Sequence, residues 1–355
     1  MKVLITGGCG FLGSNLASAY LADEAEIVVV DALLRQGSST NLKWLEQQAG
    51  NRQFYFYQAD IADAQAVNAL FLRHSPFDYV CHLAGQVAMT SSLQDPRRDI
   101  ETNVMGTFNI LEAVRNHSPN ALIAYSSSNK VYGDLDWISK EETETRFTLP
   151  DFPNGFDESL PLDFSTPYGC SKGAADQYVR DWARVFGLRT VVFRHSTIYG
   201  GRQFSSFNQG WIGWFCQQAL SQLEQASNGV QVDPFTIAGS GKQVRDILDA
   251  KDAVKLYKAA FHHRENLYGE IFNIGGGIAN SLSLLELFRT ISKFLDDFEL
   301  CYVKQDRRAS DQDFFVASIS KAQQMLGWTP SISIHEGILN ALNWCRDSHL
   351  KHQNL

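Results

Sequence analysis

Short apolar runs alternate with amphipathic stretches through roughly the first 200 residues. KVLIT (2–6), EIVVV (26–30), FYFYQ (54–58), YVCHL (79–83), ALIAY (121–125) and TVVFR (190–194) are dense in β-branched and aromatic residues and predict strands. Between them, FLGSNLASAYLA, ADAQAVNALFLRH and the longer segment around DIETNVMGTFNILEAVRNH repeat their apolar residues at helical spacing. Strands apolar on both faces, separated by helices, predict a parallel sheet covered on both sides. The expected class is α/β with a doubly wound sheet.

From 133 to 167 the pattern stops. GDLDWISKEETETRFTLPDFPNGFDESLPLDFSTP is polar and rich in turn formers, and predicts a long irregular loop. Its aromatics (Trp137, Phe147, Phe152, Phe156, Phe164) argue that it is ordered, and a lid-like insertion is expected. Beyond 195, helices are expected near 211–226, 252–264, 283–297, 318–326 and 335–347, with a short strand at PFTIA. The organisation expected is a sheet domain over 1–195 and a smaller mixed α/β lobe over 196–355, some of whose segments return to the sheet.

Charge narrows the classes of partner. The 355 residues carry a net charge of −8, which disfavours a general phosphate-backbone binder, so no nucleic acid is expected. No apolar run approaches the ~20 residues that span a bilayer, so no membrane partner is expected. The N-terminal apolar run is broken at once by glycines and reads as a strand rather than a signal peptide. The six cysteines are scattered without a CxxC pair, which fits reduced thiols and a cytoplasmic location. No spacing suggests a metal site.

The candidate chemistry sits at the strand ends. Gly7, Gly10 and Gly13 follow the first strand and open a helix, around Phe11 and Leu12. Glycines there let a pyrophosphate approach the backbone at a helix N-terminus. Asp31 ends the second strand, where a carboxylate can accept both ribose hydroxyls of a dinucleotide. A carboxylate repels a 2′-phosphate, which favours NAD over NADP, although Arg35 nearby could receive that phosphate. Asp60 and Ile61 follow the third strand, suited to the adenine edge, and Leu83 and Ala84 of HLAGQ end the fourth. His82 reads as a packed core residue.

The fifth strand ends in YSSSNKVYG, with Ser126 and Ser128 at the crevice edge, and YGCSK opens a helix with Tyr168 and Lys172 on one face. A free tyrosine, with a pKa near ~10, is about 0.1% ionised at neutral pH. Acting as a base there requires a shift of roughly three units, about 4 kcal/mol. Lys172 and an oxidised nicotinamide are the expected sources of positive charge, and a serine hydroxyl can bond the phenolate.

Together the glycine turn, Asp31, the SSS strand end and YxxxK resemble the extended short-chain dehydrogenase/reductase family over nearly the whole chain. The resemblance implies a Rossmann domain with a nucleotide-sugar-binding lobe. It implies a triad of Ser128, Tyr168 and Lys172, Asn103 as a supporting residue, and bound, recycled NAD. Family dehydratases carry an Asp-Glu pair after the triad serine or threonine; Asn129 and Lys130 stand here, which counts against dehydration.

The stretches NKVYGDL, PYGCSKGAADQY, TVVFRHS, YGGRQF and GKQVRD are most similar to the CDP-paratose 2-epimerase (CDP-tyvelose 2-epimerase) subfamily. That resemblance implies a CDP-sugar substrate and C2 epimerisation through a 2-keto sugar. Arg245 and Arg308 match positions that clamp the pyrophosphate. Gln86, Thr90, Tyr199, Arg202 and Gln209 are further candidate substrate contacts, and His195 a candidate at the cofactor. Members pair two long helices per subunit into a homodimer, which here would be those near 97–116 and 168–186. A 2-epimerase of CDP-glucose or CDP-mannose, a C4 epimerase, and a non-catalytic dinucleotide-binding regulator stay open at this point.

Overall fold

The computed structural model describes the chain except residues 208, 308–310 and 354–355, and except the side chains of 349–353. Seven parallel strands form the central sheet, in the order Glu270–Ile274, Arg189–His195, Leu122–Ser128, Tyr79–His82, Lys2–Thr6, Glu26–Asp31, Phe54–Gln58. All six expected strands are present, and Glu270–Ile274 joins from the C-terminal part of the chain. Strand alternation explains the two cores. Val3, Ile5, Ile27 and Val29 face one layer, with Leu16, Tyr20 and Tyr257. Leu4, Val28 and Val80 face the other, with Phe71, Ile110 and Trp182. Each such side chain contributes about 1.5–3 kcal/mol by leaving water.

Chain order reverses on either side of Lys2–Thr6, which has Glu26–Asp31 on one flank and Tyr79–His82 on the other. In a doubly wound sheet this switch point opens a crevice at the carboxyl ends of the strands. The helix Ser38–Ala49 was not among the expected elements. Its inward face begins with Ser38 and Asn41, which are polar and line the crevice, so the apolar period is broken where the helix starts.

A second cluster gathers Phe215, Phe235, Phe288, Ile338 and Leu342. There Val244–Asp249 pairs with Thr197–Tyr199, Ser281–Ser283 and Phe314–Phe315. Phe235–Ala238 pairs with Tyr302–Gln305.

None of the residues 133–167 lines either of the two cavities described below. Leu135, Ile138, Leu149, Phe156 and Leu160 are buried against Phe314 and Phe315 instead. Arg146 grips both carboxylate oxygens of Glu286, and the Phe156 amide donates to the Val316 carbonyl at 2.8 Å. Irregular backbone is kept in place here by side-chain packing, with a short ladder between Glu141–Glu142 and Phe147–Thr148 and a bridge from Phe156 to Ala317.

Candidate active site

The crevice holds a cavity of about 530 Å³ beside the glycine turn. Gly7 has φ +67°, and a Cβ on it would lie 2.8 Å from the Ala84 amide nitrogen. A Cβ on Gly13 would meet the Gly7 carbonyl at 2.2 Å. These positions accept only glycine, and the result is bare backbone at the start of the helix Phe11–Ala22. That helix has no acidic residue in its first turn, so its positive end is left to an outside anion. Asp31 lines the same cavity, its carboxylate accepting from the Cys9 amide at 3.0 Å and the Leu33 amide at 2.8 Å. Burial raises its pKa above the ordinary carboxylate range against the pull of those amides. A Cβ-free turn, a helix N-terminus and an anchored carboxylate are the parts a dinucleotide requires, so the residues present fit NAD.

Phe11, Leu12, Ile61, Leu83, Ala84, Ser126 and His195 also line this cavity. Asp60 lines it too, but its carboxylate is already paired with Arg98 at 2.7 Å and accepts from the Ala62 amide at 3.0 Å. His195 is kept neutral, pushed down to about 3 by burial, and its Nδ1 has no partner. His82 is a core residue bridging Thr6 and Thr107, as its sequence context implied.

Ser128 and Tyr168 line both this cavity and a second one of about 330 Å³. The second is walled by Asn129, Lys130, Trp211, Trp214, Phe215 and Arg245. The Ser128 hydroxyl donates to Asn129 Oδ1 at 3.4 Å and accepts from the Lys130 amide at 3.2 Å. Burial raises the Tyr168 pKa above its ordinary value, while Ser128 and the charge of Arg35 draw it down.

Lys172, expected as a source of positive charge near the phenol, is buried one turn along the same helix. Lys172 lines neither cavity; its ammonium donates to the Ser126 carbonyl at 2.5 Å and lies 4.3 Å from the centre of the Tyr125 ring. Burial pushes it down to about 7, against the pull of Asp176 and Asp99.

Asn103 lies in a wide π-helical turn, Ile100–Met105, a distortion that often marks functional positions. Its amide accepts from the Gln86 backbone at 2.9 Å and donates to Ser171 at 2.9 Å, fixing the HLAGQ loop to the Tyr168 helix. The Gln86 side chain is folded onto Ala88 of its own loop.

The other candidate substrate contacts divide. Gln209 lines both cavities, and Arg245 lines the second, paired with Asp311 at 2.8 Å. The Thr90 hydroxyl is buried without a partner, beside Met89 of the second cavity. Arg202 lines the glycine-turn cavity and not the second. Tyr199 is a correction: it is 2% exposed, lines neither cavity, and packs with its hydroxyl over Gly337. Arg308 lies outside the described residues.

Sequence reading missed the support beneath the site. Asp176, one turn beyond Lys172, holds Arg194 with two bonds of 2.9 Å and accepts from Ser127 at 2.8 Å. Arg194 goes on to Tyr132 at 2.9 Å, and Tyr132 to Asn273 at 2.7 Å. The available signal was the arginine inside the apolar strand TVVFR, since a buried charge needs a partner. Asp99 is also buried behind Tyr168, bonded to Ser171 at 3.3 Å.

The chain matches the protein-family model described as GDP-mannose 4,6 dehydratase over residues 4–340. It is 52% identical over 344 residues to the CDP-paratose 2-epimerase of Salmonella typhi, covering 97% of this chain and 99% of that protein. It is 32% identical to the dTDP-glucose 4,6-dehydratase of Shigella flexneri, covering 97% and 92% respectively. Among solved structures it resembles the UDP-glucose 4-epimerase of Thermus thermophilus in complex with NAD, with TM-score 0.77, 25% identity, and coverage of 98% of this chain and 99% of that one. With a glycine-turn crevice, a Ser128–Tyr168 pair and full-length likeness to these proteins, the chain belongs to the NAD-dependent epimerase/dehydratase (extended short-chain dehydrogenase/reductase) family.

Proposed function

We propose that this protein is a nucleotide-sugar epimerase that inverts C2 of a CDP-hexose, interconverting CDP-paratose and CDP-tyvelose. The observation that carries this reading is the 52% identity, over 97% of the chain, to a CDP-paratose 2-epimerase. The site geometry supports it: one hydroxyl pair, Ser128 and Tyr168, stands where a dinucleotide cavity meets a second cavity suited to a sugar nucleotide. NAD, when bound, supplies a reversible hydride acceptor with a positively charged ring in its oxidised form. Gly7, Gly10, Gly13 and Asp31 would hold it, with Asp60, Leu83, Ala84 and Ser126 along its length.

The chain's own groups handle the proton. Tyr168 takes the C2 hydroxyl proton as C2 becomes a carbonyl, and Ser128 bonds the same oxygen. The flat keto sugar turns within the second cavity, and Tyr168 returns the proton after hydride re-enters on the opposite face. Two electrons leave and come back, so no net oxidation occurs. Arg245 is placed for the diphosphate, where a planar fork makes paired bonds to phosphate oxygens. Asn129 donates to Gln312 at 2.8 Å, and no carboxylate stands beside Ser128 at that position to drive loss of water from the sugar.

We assign the protein as a homodimer through an exposed apolar stripe of Ile100, Met105, Tyr178 and Val185, on packed neighbouring helical segments. Incubating purified protein with CDP-paratose and following the C2 configuration by NMR tests the activity. Appearance of CDP-tyvelose is expected. Unchanged CDP-paratose, or change at C4 instead, would overturn the reading.

A further inference from the structure

The segment YGGRQF, 199–204, is not absorbed by the reaction, yet its second half lines the glycine-turn cavity. Arg202, Gln203 and Phe204 line that cavity together with Gly7, Gly10 and Asp31. The segment is pinned at two adjacent carbonyls by amide side chains. Asn15, on the glycine-turn helix, donates to the Gly201 carbonyl at 3.0 Å. Asn41 donates to the Cys9 carbonyl at 3.1 Å and to the Arg202 carbonyl at 3.2 Å, tying glycine turn and segment to one side chain. The Asn41 Oδ1 is buried and has no partner, although Asn41 lines the cavity.

Arg202 itself has φ +70°, in the left-handed region that favours glycine. Gly200 and Gly201 precede it, so flexible backbone is used freely here, but an arginine occupies the strained position. Its side chain accounts for that. The guanidinium lies 4.0 Å from the Trp44 ring centre and 5.0 Å from that of Trp344. Flat cations stack on indoles in this way. Trp44 belongs to Ser38–Ala49 and Trp344 to Ile334–Gln353, so the side chain joins helices from opposite ends of the chain. Phe204 closes the other flank, its ring lying so near Gly37 that a Cβ there would meet it at 2.0 Å.

We propose that Gly200–Phe204 is a strap that retains the dinucleotide, with Arg202 as its clasp between Trp44 and Trp344. The strap covers the glycine-turn side of the groove, and cofactor leaves only when the clasp opens. This rests on the reading of the cavity as an NAD site. A hydride that must be returned to the same sugar makes retention useful, because lost cofactor would strand the keto intermediate.

The test is the NAD dissociation rate of the purified protein, measured by chasing bound cofactor with excess labelled NAD and desalting at intervals. Arg202→Gly relieves the strained backbone while removing the clasp. It is expected to keep the melting temperature of the cofactor-free protein and to release NAD at least ~10-fold faster. Arg202→Lys keeps the charge without the flat stack and is expected to fall between. It carries the same test if the glycine variant does not fold. Release at the wild-type rate from either folded variant would overturn the strap. Wild-type protein that neither carries nor binds NAD would overturn the cofactor reading, and the strap with it.

Discussion

Tyr168 becomes a base only when positive charge offsets its burial. Within the protein, Ser128 and Arg35 pull its pKa down and burial pulls harder the other way. In the proposed reaction, an oxidised dinucleotide would add positive charge beside the phenol and draw its pKa down further. Tyr168→Phe is expected to lower kcat by about 10²–10⁴-fold while bound NAD, read from its content after denaturation, is unchanged. An active Phe variant would place the base elsewhere. Lys172 acts from behind: tied to the Ser126 carbonyl, it holds the end of the Leu122–Ser128 strand against the Tyr168 helix.

At the scale of elements, what matters is how the helix Thr166–Phe186 is fixed over the strand ends. The Asp176–Arg194 pair, at 0% and 2% side-chain exposure, ties it to the strand Arg189–His195. Asp176→Asn leaves the guanidinium short of its counter-charge, and a loss of about 3–5 kcal/mol is expected in chemical denaturation. A loss below ~1 kcal/mol would mean that the pair is dispensable.

Six of the seven sheet strands were legible because each announces itself locally, as a run of four to seven largely apolar residues. Gly7, Gly10, Gly13 and Asp31 were legible for the same reason, since a turn and its two flanking elements are contiguous. Val244–Asp249 was not, because VRDILD carries charges and its three partners come from distant segments. The Trp44–Arg202–Trp344 stack was hidden likewise, its members being separated along the chain. The order of the segment 133–167 was legible in its aromatics, of which Phe156 is buried. Tyr199 misled because adjacency to a pocket motif does not fix which way a side chain points.

In the molecule as a whole, Asp246 joins the end of the seven-stranded sheet to the smaller cluster. It accepts from the Gly277 amide at 3.1 Å and the Ala317 amide at 3.2 Å, while its other oxygen is buried without a partner. Burial raises its pKa from 3.8 to about 7. The folded protein therefore holds this proton more tightly than the unfolded chain. Its contribution to stability is full below the unfolded value and is lost as pH rises through about 7, at up to ~1.36 kcal/mol per pH unit. Asp246→Asn is expected to flatten the fall of Tm between about pH 5 and 8; an unchanged slope would assign the fall to other groups. Assembly is tested at the same scale. Val185→Glu is expected to convert a dimer to a monomer in sedimentation, and a monomeric wild type would contradict the stripe's role.

The central claim, a hydride lent and returned at C2, is tested most directly with CDP-paratose carrying deuterium at C2, in ordinary water. The account predicts CDP-tyvelose that keeps the deuterium at C2. Loss of the label to solvent would contradict it, because the C2 hydrogen would then have left as a proton.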